Sequence, residues 1–385
     1  MKIALSFPGC HRRGGVERVM FECANFLVAR GHDVHVFAAD WEPAPGITYH
    51  KVLVPPGPGF TFGRRYKDAC TRMLRGEQFE VLNTHGAVCP TGGVEWVQSV
   101  HHAWLDAAKT FRRPMSMARW KQRLNPVHPV LLRLEKEHFQ PGNYRGLIAT
   151  TPRVRLDLHK YFGVPEKDVE IIPNGFSPTE FNPEKRRMRR SEERRKLGLA
   201  DSDVALLLVA NELPRKGYPT ILAAMRRLAN RKVRLIVVGR PAVAEVKRGA
   251  SDAGMENQVL ALGSCGDVSA MHAAADLFVL PTQYEAFCLA ILESLGSGLP
   301  VVTSGVPGAR DAIRPGLNGY VVEDPKDADG LAEAIRPLLD RERLSALSGT
   351  TAATVEQYQW PRVLEKYEAV LTARAENRLR KEVAR

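Results

Sequence analysis

Two successive trains of short β-rich runs, each alternating with helix-period apolar patterns, constrain this chain more than any single residue does. The first opens with KIALSF at 2–7, followed by Val16, Val19, Met20, Cys23, Phe26 and Leu27 at helical spacing, Gly31 as a stop, and VHVFAA at 34–39. That is a βαβ unit. Further strands are expected at VLNTH (81–85), EWVQSVHH (95–102) and GLIATT (146–151). After the punctuating IIPNGFSPTEFNP (171–183) the rhythm restarts with ALLLVAN (205–211), RLIVVG (234–239), VLALG (259–263), LFVLPT (277–282) and PVVTSG (300–305). Helical windows at 218–229, 286–297 and 328–339 separate these runs. The expected class is α/β, with two doubly wound, Rossmann-like domains that meet near residue 174, and ligands held outside the carboxyl ends of parallel strands. The cleft between the two halves is the expected site. A length of 385 residues accommodates this, at ~150 residues per domain.

Composition narrows the partners. Hydrophobic residues at 44% and charged residues at 25% exclude a disordered or fibrous chain. The balance of 55 Lys and Arg against 43 Asp and Glu, a net +12, favours polyanions, anionic membrane surfaces or phosphorylated ligands. The six cysteines show no C-x-x-C spacing, so neither a zinc site nor a disulfide framework is expected and a reducing compartment is. Residues 1–8 read as a strand rather than an export signal, and no run approaches the ~18 apolar residues that a spanning helix needs. The expectation is a cytoplasmic protein.

The first strand runs into Pro8-Gly9-Cys10-His11-Arg12-Arg13-Gly14-Gly15-Val16-Glu17-Arg18 at a strand-to-helix corner. Glycines there let backbone N–H groups approach an anion such as a phosphate. Gly9-x4-Gly14 imitates a P-loop, but Gly15-Val16 stands where Lys and Ser or Thr would be needed, and G-x-G-x-x-G is absent, which disfavours an ATPase or an ordinary dehydrogenase. A tight turn without a ligand is the alternative.

Tyr284-Glu285-Ala286-Phe287-Cys288-Leu289-Ala290-Ile291-Leu292-Glu293 comes after another strand and sets two carboxylates eight residues apart. Glu285 is expected in the loop and Glu293 about two turns into the helix. The helix start between them suits a diphosphate and the flanking carboxylates suit sugar hydroxyls, the pattern of a sugar nucleotide. Asn211-Glu212-Leu213-Pro214-Arg215-Lys216-Gly217 puts two cations in the loop after an earlier strand, where they would neutralise a departing diphosphate. A solvated Glu285, a helix-stabilising Glu293 and a solvated Arg-Lys turn are the bland alternatives.

These residues carry a resemblance. Tyr284–Val302, with its E-x7-E spacing and Gly298-Leu299-Pro300-Val301-Val302, resembles the family 4 retaining glycosyltransferases of the GT-B fold. So do Gly14-Gly15-Val16-Glu17-Arg18, Pro173-Asn174-Gly175, Arg215-Lys216-Gly217, Gly239, Pro307-Gly308 and Asn318-Gly319, in order from residue 2 to about 372. Within the family the chain looks most like lipopolysaccharide-core glucosyltransferases. The resemblance implies an acceptor-side domain over 1–173, a nucleotide-sugar domain over 174–360, and a helix over 361–385 that returns to the first domain and ends in a polar tail. It implies that Gly14 and Gly15 approach the donor phosphate, that Lys216 and Arg215 bind the diphosphate, that Glu293 holds the ribose and that Glu285 contacts the transferred sugar. Backbone amides of Phe287, Cys288 and Leu289 would complete the cradle. Many relatives carry Gly-Arg where this chain has Ala210-Asn211, so the first family cation is missing from its usual place. A histidine at the end of an N-domain strand faces the sugar in relatives. His101 is the favoured counterpart over His102, and His85 is a further candidate.

The activity that the resemblance implies is transfer of a hexose, glucose from a uridine diphosphate donor, onto a saccharide or glycolipid acceptor such as lipopolysaccharide core, by front-face substitution. No cofactor is expected, since the nucleotide sugar is a substrate. Asp201-Ser202-Asp203 imitates a metal-binding D-x-D but reads as a turn, so no metal is expected. The alternatives are a sugar-nucleotide epimerase of the same fold and a non-enzymatic basic module. Residues 1–173 hold 24 Lys and Arg against 16 Asp and Glu, and the segment 109–123, KTFRRPMSMARWKQR, has six cations with Phe111, Met115, Met117 and Trp120 between them. It is expected to meet an anionic surface at the inner face of the cytoplasmic membrane, or else to be a solvated edge. The run 185–196, KRRMRRSEERRK, is expected to be a solvated helix. Neither cluster sits in a nucleic-acid module, so no nucleic acid is expected.

Overall fold

The segment Val204–Ala210 reads VALLLVA and is buried along nearly its whole length. Such a strand needs both faces covered, which a parallel sheet flanked by helices provides. In the computed structural model, which describes residues 1–111 and 117–383, this arrangement occurs twice, in two units. The first comprises residues 1–174 with the helix from Trp360, and the second Gly175–Gln359.

The first unit contains β1 (Lys2–Ser6), β2 (Gly9–Cys10), β3 (Asp33–Ala38), β4 (Asp40–Trp41), β5 (Ile47–Lys51), β6 (Val81–Thr84), β7 (Val94–Val97), β8 (Gly146–Ala149) and β9 (Val169–Ile171). Seven of these form one parallel sheet in the order β5-β3-β1-β6-β7-β8-β9, while β2 pairs with β4. Its helices are α1 (Val16–Ala29), α2 (Phe62–Leu74), α3 (His101–Phe111), α4 (Met117–Arg123), α5 (Val127–His138) and α6 (Pro152–Phe162). The second unit contains α7 (Pro183–Lys196), β10 (Val204–Ala210), α8 (Tyr218–Leu228), β11 (Val233–Gly239), α9 (Val243–Asp252), β12 (Val259–Gly263) and α10 (Val268–Ala274). It continues with β13 (Leu277–Leu280), α11 (Leu289–Gly296), β14 (Val301–Ser304), β15 (Gly319–Val322), α12 (Ala328–Ile335) and α13 (Arg341–Thr351). Its sheet order is β12-β11-β10-β13-β14-β15, also parallel. Strand order reverses between β10 and β13, so the loops leaving those two strands flank the crevice where such sheets bind ligands. One carries Arg215 and Lys216, the other Glu285.

The last helix, α14 (Trp360–Val383), packs in the first unit. Tyr367 is fully buried, donates its hydroxyl to Asn83 Oδ1 at 2.9 Å and stacks on Trp96 at 5.1 Å. Glu368 holds Arg30 at 3.1 Å and His32 at 2.8 Å.

Three expectations need correction. The strand expected over 95–102 stops at Val97, and His101 and His102 begin α3 instead of ending a strand. Glu135 on α5 accepts the N–H groups of both, at 2.5 and 3.2 Å, and so caps the helix there. Helix α11 starts at Leu289, leaving Glu293 just over one turn in, not two.

The run 185–196 is a helix, but its arginine face is not solvated. Arg186, Arg190 and Arg194 recur every four residues on one face of α7, turned toward the end of α10. The last carbonyls of a helix lack intrahelical partners. Arg186 donates to the carbonyl of Ala275 at 2.9 Å, Arg190 to the same carbonyl at 2.9 Å, and Arg194 to that of Ala274 at 3.1 Å. Asp276, 4% exposed, accepts from Arg190 at 2.5 Å, Arg194 at 2.9 Å and the Ala205 amide at 2.8 Å. One face of the charge run is a part-buried seam joining α7 to the first strand of its sheet, while the rest of the run is exposed.

Candidate active site

The loops after β10 and β13 are laced together by their own hydrogen bonds. Gln283 donates its backbone N–H to the Arg215 carbonyl and its side-chain amide to that of Pro214, both at 2.8 Å. Arg215 donates to the Tyr284 carbonyl at 2.7 Å and pairs with Glu212 at 3.1 Å. Gly217, at φ +80°, closes the first loop in the left-handed region, where any side chain would strike the carbonyl oxygen of Pro281.

On this frame one carboxylate oxygen collects three donors. Glu285 Oε1 receives the ammonium of Lys216, a guanidinium nitrogen of Arg215 at 3.3 Å and the hydroxyl of Thr282 at 3.2 Å. Lys216 is 8% exposed, so its charge sits in a largely dehydrated setting where a partner counts for more than in water. Glu285, Lys216 and Arg215, expected together from the sequence, do meet at one place. Arg215 stands beside Lys216, and both cations reach Glu285, while Ala210-Asn211 carries no charge. Nothing in PTQYEAF marks Thr282 as a site residue before the loop is folded.

Cys288 precedes α11 in extended conformation, and the first amides of that helix have no intrahelical partner. Of the three amides expected in the cradle, that of Cys288 already donates to the Gly308 carbonyl at 3.2 Å, which ties the loop after β14 to the helix start. Leu289 opens the helix, and the Phe287 ring lies 6.5 Å from Tyr358. Burial pushes the Cys288 thiol up to about 11, so it stays protonated. Glu293 lies on α11, 7% exposed.

The first unit carries the remaining candidates. Gly14 has φ +120°, a conformation in which a side chain would collide with the Glu17 carboxylate. Gly15 precedes α1 with no side-chain cap, and the space that its Cβ would take is open. Only backbone is presented at that corner. His101 lies partly buried against Trp104, with Nε2 3.0 Å from Nδ1 of His128. Burial, with His128 and His102 nearby, pulls it down to about 4, so the ring is neutral near pH 7. His102 stacks on Tyr161 at 4.3 Å. His85 is fully buried behind β6, neither ring nitrogen has a hydrogen-bond partner, and burial lowers it to about 3.

Asp203 accepts the Ala200 N–H at 2.9 Å within its own turn. Among the described residues no group of three or more His, Cys, Asp or Glu side chains is placed to hold a metal. No helix among them is long and apolar enough to cross a membrane. Of the basic segment 109–123, residues 112–116 lie outside the described residues. Beyond them, Trp120 is 58% exposed and Leu124 70%, and with Lys121 they line an open pocket.

Residues 189–353 match the "Glycosyl transferases group 1" family and residues 13–180 match "Glycosyltransferase Family 4". Among similar proteins is the lipopolysaccharide glucosyltransferase WaaG of Escherichia coli, 25% identical over 86% of this chain and 87% of that protein. A crystal structure of WaaG superposes with a TM-score of 0.81 at 22% identity, covering 96% of this chain and 99% of that one. A D-inositol 3-phosphate glycosyltransferase of Geodermatophilus obscurus is 28% identical over 97% of this chain and 87% of its own length. Anabaena HepE in complex with UDP-glucose matches with a TM-score of 0.73 at 17% identity, over 96% and 99% of the two chains. The neighbours share the GT-B fold, with two Rossmann-like domains built on parallel sheets.

Proposed function

This chain belongs to the glycosyltransferases of group 1 and family 4, and from that premise we propose that it moves a hexose, glucose, from a uridine diphosphate donor to a saccharide or glycolipid acceptor such as lipopolysaccharide core, with retention. The observation that carries the reading is the meeting of Lys216 and Arg215 on Glu285 beside the start of α11. Two fixed cations and a helix N-terminus supply the field that a leaving diphosphate needs, and a carboxylate among them suits sugar hydroxyls. The donor assignment is supported by the named activity of WaaG and by the UDP-glucose bound to HepE.

In this mechanism the bond from the anomeric carbon to the phosphate oxygen breaks as the acceptor oxygen approaches on the same face. Lys216 and Arg215 neutralise the charge that grows on the diphosphate, and its oxygen takes the acceptor proton. Glu285 and His101 are assigned to the transferred sugar, Glu293 to the ribose, and Gly14, Gly15 and the Phe287 to Leu289 segment to the phosphates, Phe287 and Leu289 through their amides while the Cys288 amide stays with Gly308. With the positive charge supplied by side chains and a helix end, the proposed reaction runs without a metal or cofactor.

The test is incubation with UDP-glucose, other nucleotide sugars and core oligosaccharide, with product mass and anomeric configuration read out. A new glycosidic bond of unchanged anomeric configuration is expected from UDP-glucose. An isomerised donor would identify an epimerase, and a product of inverted configuration would overturn the front-face reading.

Membrane contact through 109–123 is part of the proposal, resting on its cations and on the exposed Trp120 and Leu124. The protein is expected to float with vesicles that contain anionic lipid and to remain behind with neutral ones. Binding indifferent to lipid charge would overturn it.

A further inference from the structure

Helix α5 is fastened to its own unit on two sides. Its Glu137 takes Arg64 at 2.9 Å and Lys67 at 3.1 Å, both from α2, while its His138 contacts Glu95 of β7 at 3.2 Å, a pair of which neither side chain is more than 1% exposed. Glu95 also accepts the Thr84 hydroxyl at the end of β6. A helix held that firmly can serve as a jig for whatever it grips in turn.

What it grips is the start of α3. Glu135 receives the backbone N–H groups of His101 and His102, and His128, seven residues earlier and so on the same face of α5, meets the His101 ring at Nε2. Main chain and imidazole of one histidine are therefore both set by α5. We propose that Glu135 and His128 are positioning residues for His101, with the His128 Nδ1–H donating to His101 Nε2 and leaving His101 Nδ1–H to donate to the substrate. This rests on the reading that His101 contacts the transferred sugar.

The burial of Glu135 fits a positioning role better than a stabilising one. Desolvation pushes its carboxyl up to about 7, so the folded protein carries a buried acid at a cost, where an ordinary Ser or Asp cap would serve the helix alone. A caps-only role would leave His101 chemistry untouched.

The experiment uses the full chain carrying His128→Phe, Glu135→Gln, His101→Ala and the double variant His101→Ala with His128→Phe. Turnover with UDP-glucose is expected to fall about tenfold to hundredfold in His128→Phe and in Glu135→Gln, the usual loss for a group displaced by about 1 Å, with donor KM changed far less. In the double variant, His128→Phe should cost nothing beyond His101→Ala, because the two act as one. Nitrogen-15 spectra should place the His101 proton on Nδ1 in the wild type and show its titration point rising in His128→Phe. Additive losses in the double variant, or an unmoved His101 titration and tautomer, would overturn the positioning role even where His101→Ala is inactive. Full turnover by His101→Ala would instead sink the reading of His101 on which the proposal stands, and is seen in a separate measurement.

Discussion

Lys216→Ala is expected to lower turnover by about 10²–10³-fold, the usual loss when one charge-stabilising donor is removed from a reacting centre. The lysine is almost wholly dehydrated, and its ammonium is one of two cations converging on Glu285 Oε1. Stripping it away leaves Arg215 alone to balance that carboxylate and, in the proposed mechanism, the charge arriving on the leaving diphosphate. The loss should fall on kcat more than on donor KM, since the charge on the leaving oxygen is largest in the transition state. Circular dichroism should be unchanged, and Lys216→Arg should recover part of the rate by keeping the charge while missing the geometry. Near-normal turnover by a well-folded alanine variant would show that the diphosphate is bound elsewhere.

The largest stability effect is expected at Asp276, far from any chemistry. Its carboxylate accepts from two arginines of α7 and from the amide of Ala205, and Arg194 beside it is only 4% exposed. Asp276→Ala would leave a buried guanidinium without its counter-charge, a defect that costs about 3–5 kcal/mol. For a unit of this size each kcal/mol moves Tm by roughly 2–4 °C, so a drop of roughly 10 °C is expected for the second unit's transition. Replacing the exposed Met188 on the same helix should be nearly silent. If calorimetry showed Asp276→Ala melting with the wild type, the seam would be ornamental.

Periodicity made the two parallel sheets legible, because a strand covered on both faces must be apolar throughout and a helix beside it must repeat every three to four residues. The site loops were legible for a related reason: a strand that ends in Gly, Pro and charge, such as the one before Arg215, announces where its sheet opens. Tertiary partners decided the rest. His101 reads as a strand end because it follows an apolar run where family members carry a histidine, and the residue that caps the helix start, Glu135, lies 34 residues away in sequence. The arginines of α7 read as solvated because charge density counts residues and not the carbonyls that they meet. The engagement of the Cys288 amide by Gly308 belongs to the same class, a backbone contact between loops that carries no signature in either.

The placement of α14 has a consequence for biogenesis. Tyr367 and Trp360 are core residues of the unit that holds β1, yet they emerge from the ribosome only after all of Gly175–Gln359 has been made. The earliest strands to be translated must therefore wait, with Asn83 and Trp96 uncovered, through the synthesis of an entire second sheet. A nascent chain stalled before Trp360 would leave the Asn83 amide and the Trp96 ring without their Tyr367 partner, open to chaperones and proteases, although every strand beside them had already been made.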